Sequence, residues 1–320
     1  MSDGKVIAVV GATGTQGGGL ARAILDHPEG GFTVRALTRN PDSDAARALA
    51  ERGAEVVAAD LDEEASLVPA FTGAHGVFGV TNYWEVFSVQ REQAQAANIA
   101  QASVEAGVHH VIWSTLEDTR KWVPLDDDRM PTLAGNYKVP HFDSKGEADG
   151  LFAEAGAPTT YLVTAFFWEN LLGMVARGED GVLALTVPMG EARLPGIAAE
   201  DVGRTAYGVF ERGDEFIGSR VGIAGEHLRI SEMAATLSEV LGEEVRYQDV
   251  PPEVFRSFGF PGADDMANMF QFKHDFEDDY VGSRDLDIVR SLNPDLQTFE
   301  EWARANKSRF EVQHFPGASD

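Results

Sequence analysis

Apolar residues recur along the first half of the chain in short runs separated by stretches of helical spacing. Val6–Val10 is an unbroken apolar run, the pattern of a strand buried on both faces. Gln16–Asp26 places Leu20, Ala23 and Ile24 at i, i+3 and i+4, which predicts a helix. Phe32–Leu37 predicts a second strand and Ser43–Arg52 a helix with Ser43 as its N-cap. Glu55–Ala59 and Gly76–Val80 follow as strands, then a long helix over Glu85–Ala106. His110–Trp113, a helix near Phe142–Ala155 and the strand Thr159–Thr164 complete the series. Alternation of this kind predicts an α/β fold, a doubly wound parallel sheet of Rossmann type with right-handed crossovers.

The pattern loosens after Ala165. Strands over Gly181–Val187, Arg220–Ile223 and Glu244–Gln248 mix with helices over Glu200–Glu211, Ser231–Leu241, Pro252–Phe258 and Thr298–Lys307. The expected division is a Rossmann-type domain over residues 1–165 and a smaller α/β lobe over 166–320, packed on the first or interleaved with it. Phe258–Gly262 reads as a packed aromatic connector, and Trp84, Trp113 and Trp168 as core.

The first strand runs into Gly11, Gly14 and Gly17, spaced G-x-x-G-x-x-G. Gly11 permits a tight turn, Gly14 lets a pyrophosphate approach the backbone, and Gly17 lets the helix pack close to the sheet. Thr13, Thr15 and Gln16 add donors, and the helix N-terminus offers free N–H groups to phosphates. The second strand ends in Leu37-Thr38-Arg39-Asn40-Pro41, with no carboxylate to hold a ribose 2′-hydroxyl. An arginine stands there instead, which favours NADP(H) over NAD(H). Asp60 and Asp62, after the third strand, suit an adenine amino group, while Asp62 suits a helix cap equally well.

Composition narrows the field. The absence of cysteine excludes disulfides, zinc–thiolate sites and thiol catalysis, and fits a cytoplasmic protein. MSDGK leads into the first strand with no apolar leader, and no stretch has the apolar length to span a bilayer. A net charge of -26 without a basic patch speaks against nucleic acid. The dispersed acid reads either as an ordinary solvated acidic surface or as adaptation to a high-salt cytoplasm. No metal site is expected. Asp126–Asp128 reads as a solvated loop and His109-His110 as packed or exposed residues.

GATGTQGG (residues 11–18), TRNP (38–41), GAEVV (53–57), VTNYWE (80–85), HFDSKGE (141–147), ENLL (169–172), GFPGA (259–263) and ANMF (267–270) together resemble the NmrA-like family of atypical short-chain dehydrogenase/reductases. They are especially similar to its human redox-sensor branch, understood to sense the NADPH/NADP ratio. The resemblance implies that Gly11–Gln16 and Arg39 hold the phosphates of NADP(H). Thr81, Asn82 and Tyr83 would line the middle of the cofactor. Lys145 would reach the nicotinamide ribose, and Phe167, Trp168, Glu169 and Asn170 would border the nicotinamide. The family leads one to expect a basic residue near Ala94, and Arg91 is the available substitute one turn earlier. A regulated protein partner or a small-molecule substrate is implied, in a monomer or a homodimer.

A typical short-chain reductase carries Tyr-x-x-x-Lys on one helix face, the lysine lowering the tyrosine pKa, with a serine on the preceding strand. Ser114 and Lys145 stand at the serine and lysine positions, but His141 occupies that of the tyrosine. His141 is then either the proton donor, since imidazole titrates near neutrality, or the mark of a lost acid, with Lys145 kept for the ribose. Isoflavone-reductase-like relatives suggest a third reading, a lysine acting alone. Tyr137 lies almost two helical turns from Lys145, and no Ser-His-Asp arrangement of hydrolase type is present.

Overall fold

The structure is a computed structural model that describes residues 4–85, 87–178, 180–310 and 313–314. Its first half runs β1 (Lys5–Val9), α1 (Thr15–Asp26), β2 (Phe32–Thr38), α2 (Asp44–Glu51), β3 (Glu55–Ala58), α3 (Glu64–Phe71), β4 (Gly76–Gly79), α4 (Val89–Glu105), β5 (His110–Thr115), α5 (Pro140–Ala155) and β6 (Thr159–Val163). The second half runs β7 (Phe166–Phe167), β8 (Val175–Arg177), β9 (Leu183–Thr186), β10 (Arg193–Ile197), α6 (Ala199–Glu211), β11 (Arg220–Gly222), β12 (Glu226–Arg229), α7 (Ile230–Leu241), β13 (Val245–Gln248), α8 (Pro252–Arg256), α9 (Ala263–Asp275), α10 (Glu277–Gly282), α11 (Leu286–Leu292), α12 (Phe299–Ala305) and β14 (Gln313–His314).

Seven parallel strands form the main sheet in the order β11-β6-β5-β4-β1-β2-β3. Ile7, Ala8 and Val9 of β1 are wholly buried, because helices cover both faces of a strand paired on both sides. β11 comes from beyond residue 165, yet it pairs with β6 of the main sheet. α6 also comes from beyond that point and packs on α1, where Gly19 faces the Glu200 backbone and Gly203 faces Leu20. A Cβ at either glycine would strike main-chain atoms, so two small residues set the helix separation. Two smaller sheets, β12-β10-β7 and β13-β9-β8-β14, build the remainder around a second apolar core.

Several boundaries differ from expectation for visible reasons. The long helix begins at Val89, with Ser88 Oγ accepting the Arg91 N–H at 3.2 Å, while Tyr83–Glu85 forms a separate 3₁₀ turn. Val86, inside the expected helix, lies outside the described residues. Trp84, expected in the core, is 37% exposed, whereas Trp113 and Trp168 are wholly buried. The connector Phe258–Gly262 is only half packed: Phe255 lies buried beneath it, and Phe258 and Phe260 remain 38% exposed. No helix among the described residues is long and apolar enough to cross a membrane.

Candidate dinucleotide cleft

All seven strands of the main sheet point their C-terminal ends toward one edge. The strand order reverses at β1, with β2 on one side and β4 on the other, and a crevice opens there. The resulting cleft has a volume of about 820 Å³. Its floor is the turn after β1, with Gly11, Thr13, Gly14, Thr15, Gln16 and Gly17. One wall comes from Thr38, Arg39, Asn40 and Asp60 after β2 and β3. The other comes from Thr81 and Asn82 after β4, from Phe167 at the end of β7, and from Glu169 and Asn170 just beyond it.

The glycine turn fits phosphate for reasons internal to it. Gly11 has φ +65°, a left-handed conformation that disfavours any side chain. Gly14 is the N-cap of α1 and supplies no side chain to its first-turn N–H groups, which are left for a ligand. A Cβ on Gly17 would come within 2.5 Å of Val10 O and 2.6 Å of Gly11 O. Helix and strand therefore meet only because residue 17 is glycine. The set matches the diphosphate of a dinucleotide.

Arg39 lies at the cleft edge with its side chain 59% exposed, and Nη1 donates to Glu85 Oε1 at 2.6 Å. Hydrogen bonding to Glu85, reinforced by its charge, raises the Arg39 pKa above the ordinary guanidinium value. Asp60 lines the cleft, but Asp62 does not. The Asp62 carboxylate accepts from Arg91, at 2.5 Å to Nη2, and from Gln95 Nε2 at 2.9 Å. Arg91, the substitute considered for a basic residue near Ala94, is thus committed to Asp62. The N-cap of α3 is Glu63, so Asp62 does not serve there either.

Lys145 sits on α5 beside the cleft. Its ammonium donates to Thr81 O at 2.9 Å and Thr81 Oγ1 at 2.7 Å, and pairs with Glu92 at 2.8 Å. Glu92 also receives hydrogen bonds from Thr81 and Ser144. Burial alone would raise the Glu92 carboxyl; Lys145 and the two hydroxyls overcome that and hold it below the usual carboxylate range. Sequence reasoning missed Glu92. The available signal was its position on the buried stripe Val89, Glu92, Ala96, Ile99, where a charge needs a partner.

The remaining catalytic candidates are held elsewhere. Ser114 Oγ donates to Gln16 Oε1 at 2.7 Å, which ties the end of β5 to the glycine turn. His141 is buried, and its Nδ1 lies 2.6 Å from Asp265 Oδ1 on α9. Its ring stacks obliquely on Trp84, with centroids 4.7 Å apart, and it is not part of the cleft wall. Asp265 was also invisible beforehand, because α9 itself was not anticipated. Burial, with Asp265 and Glu92 adding to it, pushes the Tyr83 phenol above its usual range. Tyr83 lines a neighbouring cavity rather than the cleft. Trp168 is fully buried behind the cleft wall. Glu169 accepts from the Ala199 N–H at 3.0 Å and from Trp302 Nε1 at 3.1 Å, joining the wall to α6 and α12. Among the described residues no group of three or more His, Asp or Glu could hold a metal ion.

Strand order, switch point and glycine turn define a protein of the Rossmann dinucleotide-binding class. The NmrA-like family model matches residues 3–303, and the chain belongs to that family. The NmrA-like family domain-containing oxidoreductase FrzB of Cladobotryum sp. is 31% identical over 83% of this chain and 83% of its own length. The negative transcriptional regulator NmrA, solved in complex with NADP, has a TM-score of 0.76 at 24% identity, with 95% of each chain covered. The NADPH-dependent quinone oxidoreductase QOR2 of Escherichia coli, solved with NADPH, has a TM-score of 0.72 at 23% identity, with 93% of this chain and 99% of that chain covered. These two structural likenesses are of fold.

Proposed function

We propose that the chain binds NADP(H) and acts as a regulatory protein, with cofactor occupancy rather than turnover as its output. Gly11–Gln16 and the open end of α1 would hold the diphosphate, Arg39 the 2′-phosphate, and Thr81 with Asn82 the middle of the dinucleotide. Phe167, Glu169 and Asn170 would border the nicotinamide. Bound NADPH supplies a hydride, and a carbonyl reduced by it needs a proton as the charge develops.

The observation that carries the reading is the placement of His141. The only residue at the tyrosine position of the dyad is committed to Asp265, under Trp84 and outside the cleft wall. Lys145 is spent on Thr81 and Glu92, which suits a binding role at the ribose. Glu169 joins the nicotinamide wall to α6 and α12, a route by which occupancy reaches a surface that a protein partner reads. Such a role accords with the redox-sensor branch that the sequence resembles, understood to sense the NADPH/NADP ratio. A cysteine-free chain suits a reducing compartment, and the cytoplasm is the location we infer.

The second reading, an NADPH-dependent reductase of a small carbonyl or quinone, is favoured by the oxidoreductase relatives and by the retention of Ser114 and Lys145. NADPH oxidation against a panel of quinones and aldehydes, run beside a binding titration, separates the two. The regulatory reading predicts near-background turnover, unchanged in His141→Ala. Strong turnover lost in His141→Ala with NADPH affinity retained makes His141 the acid. Turnover surviving there but lost in Lys145→Met, with the cofactor still bound, makes the lysine the acid.

A further inference from the structure

Beside the cleft, on the far side of the Tyr83–Glu85 turn, lies a second cavity of about 310 Å³. Thr81 and Asn82 face the cleft, and Tyr83, two residues on from Thr81, faces this cavity. Its walls include the rings of Tyr83, Phe87 and Phe260, together with Leu133 and Pro140. Phe87 and Phe260 are 48% and 38% exposed, so the mouth is open and aromatic. Aromatic side chains lining an open cavity suit a flat apolar ring.

One charged group in the wall is out of keeping with the rest of the protein. Arg256 makes no ion pair among the described residues. Every other arginine there is paired with a carboxylate except Arg309, which is exposed. Arg256 is half-buried, its Nε and Nη2 donate to the side-chain oxygens of Asn268 and Gln271, and Nη1 is uncommitted. Burial lowers its pKa against the pull of Asp264 and Glu253. Two carboxylates share the cavity. Asp265 is spent on His141, through its ring and its main-chain N–H, and Asp264 is exposed on the first turn of α9. In a chain of net charge -26, a partly desolvated guanidinium with no carboxylate in direct contact has an edge open to an anion.

We propose that this cavity is a second ligand site, for a small aromatic carboxylate. The ring lies among Tyr83, Phe87 and Phe260, and the carboxylate takes the free edge of Arg256. The site is separate from the dinucleotide cleft and does not depend on whether the protein turns over its cofactor.

Benzoate is the probe, titrated against the NADP⁺-saturated full chain by calorimetry and by ligand-observed NMR, with benzyl alcohol as the uncharged comparator. The expected result is saturable benzoate binding, at least tenfold tighter than benzyl alcohol, falling at least tenfold in Arg256→Gln and unchanged in Arg309→Gln, which removes an exposed arginine away from both cavities. No saturation, equal binding of the two probes, or benzoate affinity unchanged in Arg256→Gln overturns the proposal. Should Arg256→Gln fail to fold, Leu133→Trp fills the cavity from another lining position. Loss of benzoate binding in that variant supports the site, and retention overturns it.

Discussion

Replacing Arg39 by alanine should weaken NADPH binding and leave NADH binding nearly unchanged. A charged hydrogen bond contributes about 1.5–3 kcal/mol. Arg39 is 59% exposed, so solvent screening puts its value toward the low end of that range. Its present partner must also be displaced. Glu85 holds Nη1 at 2.6 Å, and an exposed ion pair of this kind is worth roughly 0.2–1 kcal/mol. The net loss expected in Arg39→Ala is therefore about 0.5–2 kcal/mol, a twofold to thirtyfold rise in the NADPH dissociation constant. The same reasoning gives the opposite sign for Glu85→Gln. Freed from its competitor, Arg39 should bind NADPH about 1.4-fold to fivefold more tightly, again with little change for NADH. Calorimetric titration of both cofactors against wild type and the two variants measures all of this. Equal losses for NADPH and NADH in Arg39→Ala, or weaker NADPH binding in Glu85→Gln, would refute the assignment of Arg39 to the 2′-phosphate.

Two further outcomes follow from the packing. Gly17→Ala places a methyl group within 2.5 Å of Val10 O and should cost about 1–3 kcal/mol in urea unfolding, with NADPH affinity falling as well; unchanged stability would show that helix and strand have room to part. His110 is buried against Thr160, and burial, aided by the neighbouring His109, pushes its pKa down to about 4 from an ordinary 6.5. The unfolded chain binds a proton below pH 6.5 that the folded chain refuses until about 4, so stability contributed here is complete above 6.5 and is lost as pH falls toward 4. His110→Gln should flatten the melting temperature across that window, and an unaltered slope would assign the acid sensitivity to other groups.

The first half of the fold was legible because its central strands β1, β4 and β5 are buried and α1 and α2 carry an apolar stripe. Val6–Val10 and Gln16–Asp26 lie within a residue of the observed β1 and α1. The second half was obscured by short elements that depend on tertiary support. β10 contains Pro195 and Gly196, both strand breakers by propensity, yet it pairs with β12 and β7. α9 opens on two aspartates after a left-handed Gly262 and mixes buried Asp265, Asn268 and Lys273 among its apolar residues, so no clean stripe announces it. The cleft shared the legibility of the first half, since Gly11, Gly14 and Gly17 stand in one turn after β1 and Arg39 directly follows β2, the next strand. The partners that decide the chemistry were not legible. Asp265 stands 124 residues from His141, and Glu92 stands 53 positions before Lys145 on another helix. Neither contact leaves a trace in local spacing.

The regulatory account stands or falls on whether cofactor occupancy reaches the second half of the chain through Glu169. Hydrogen exchange with and without saturating NADP⁺ tests it directly, in wild type and in Glu169→Gln. The account predicts slowed exchange at Gly14–Gly17 and also at Trp168–Gly173 and Phe299–Ala305, with protection of Phe299–Ala305 reduced in Glu169→Gln while the glycine turn stays protected. Protection confined to the glycine turn in wild type would contradict it.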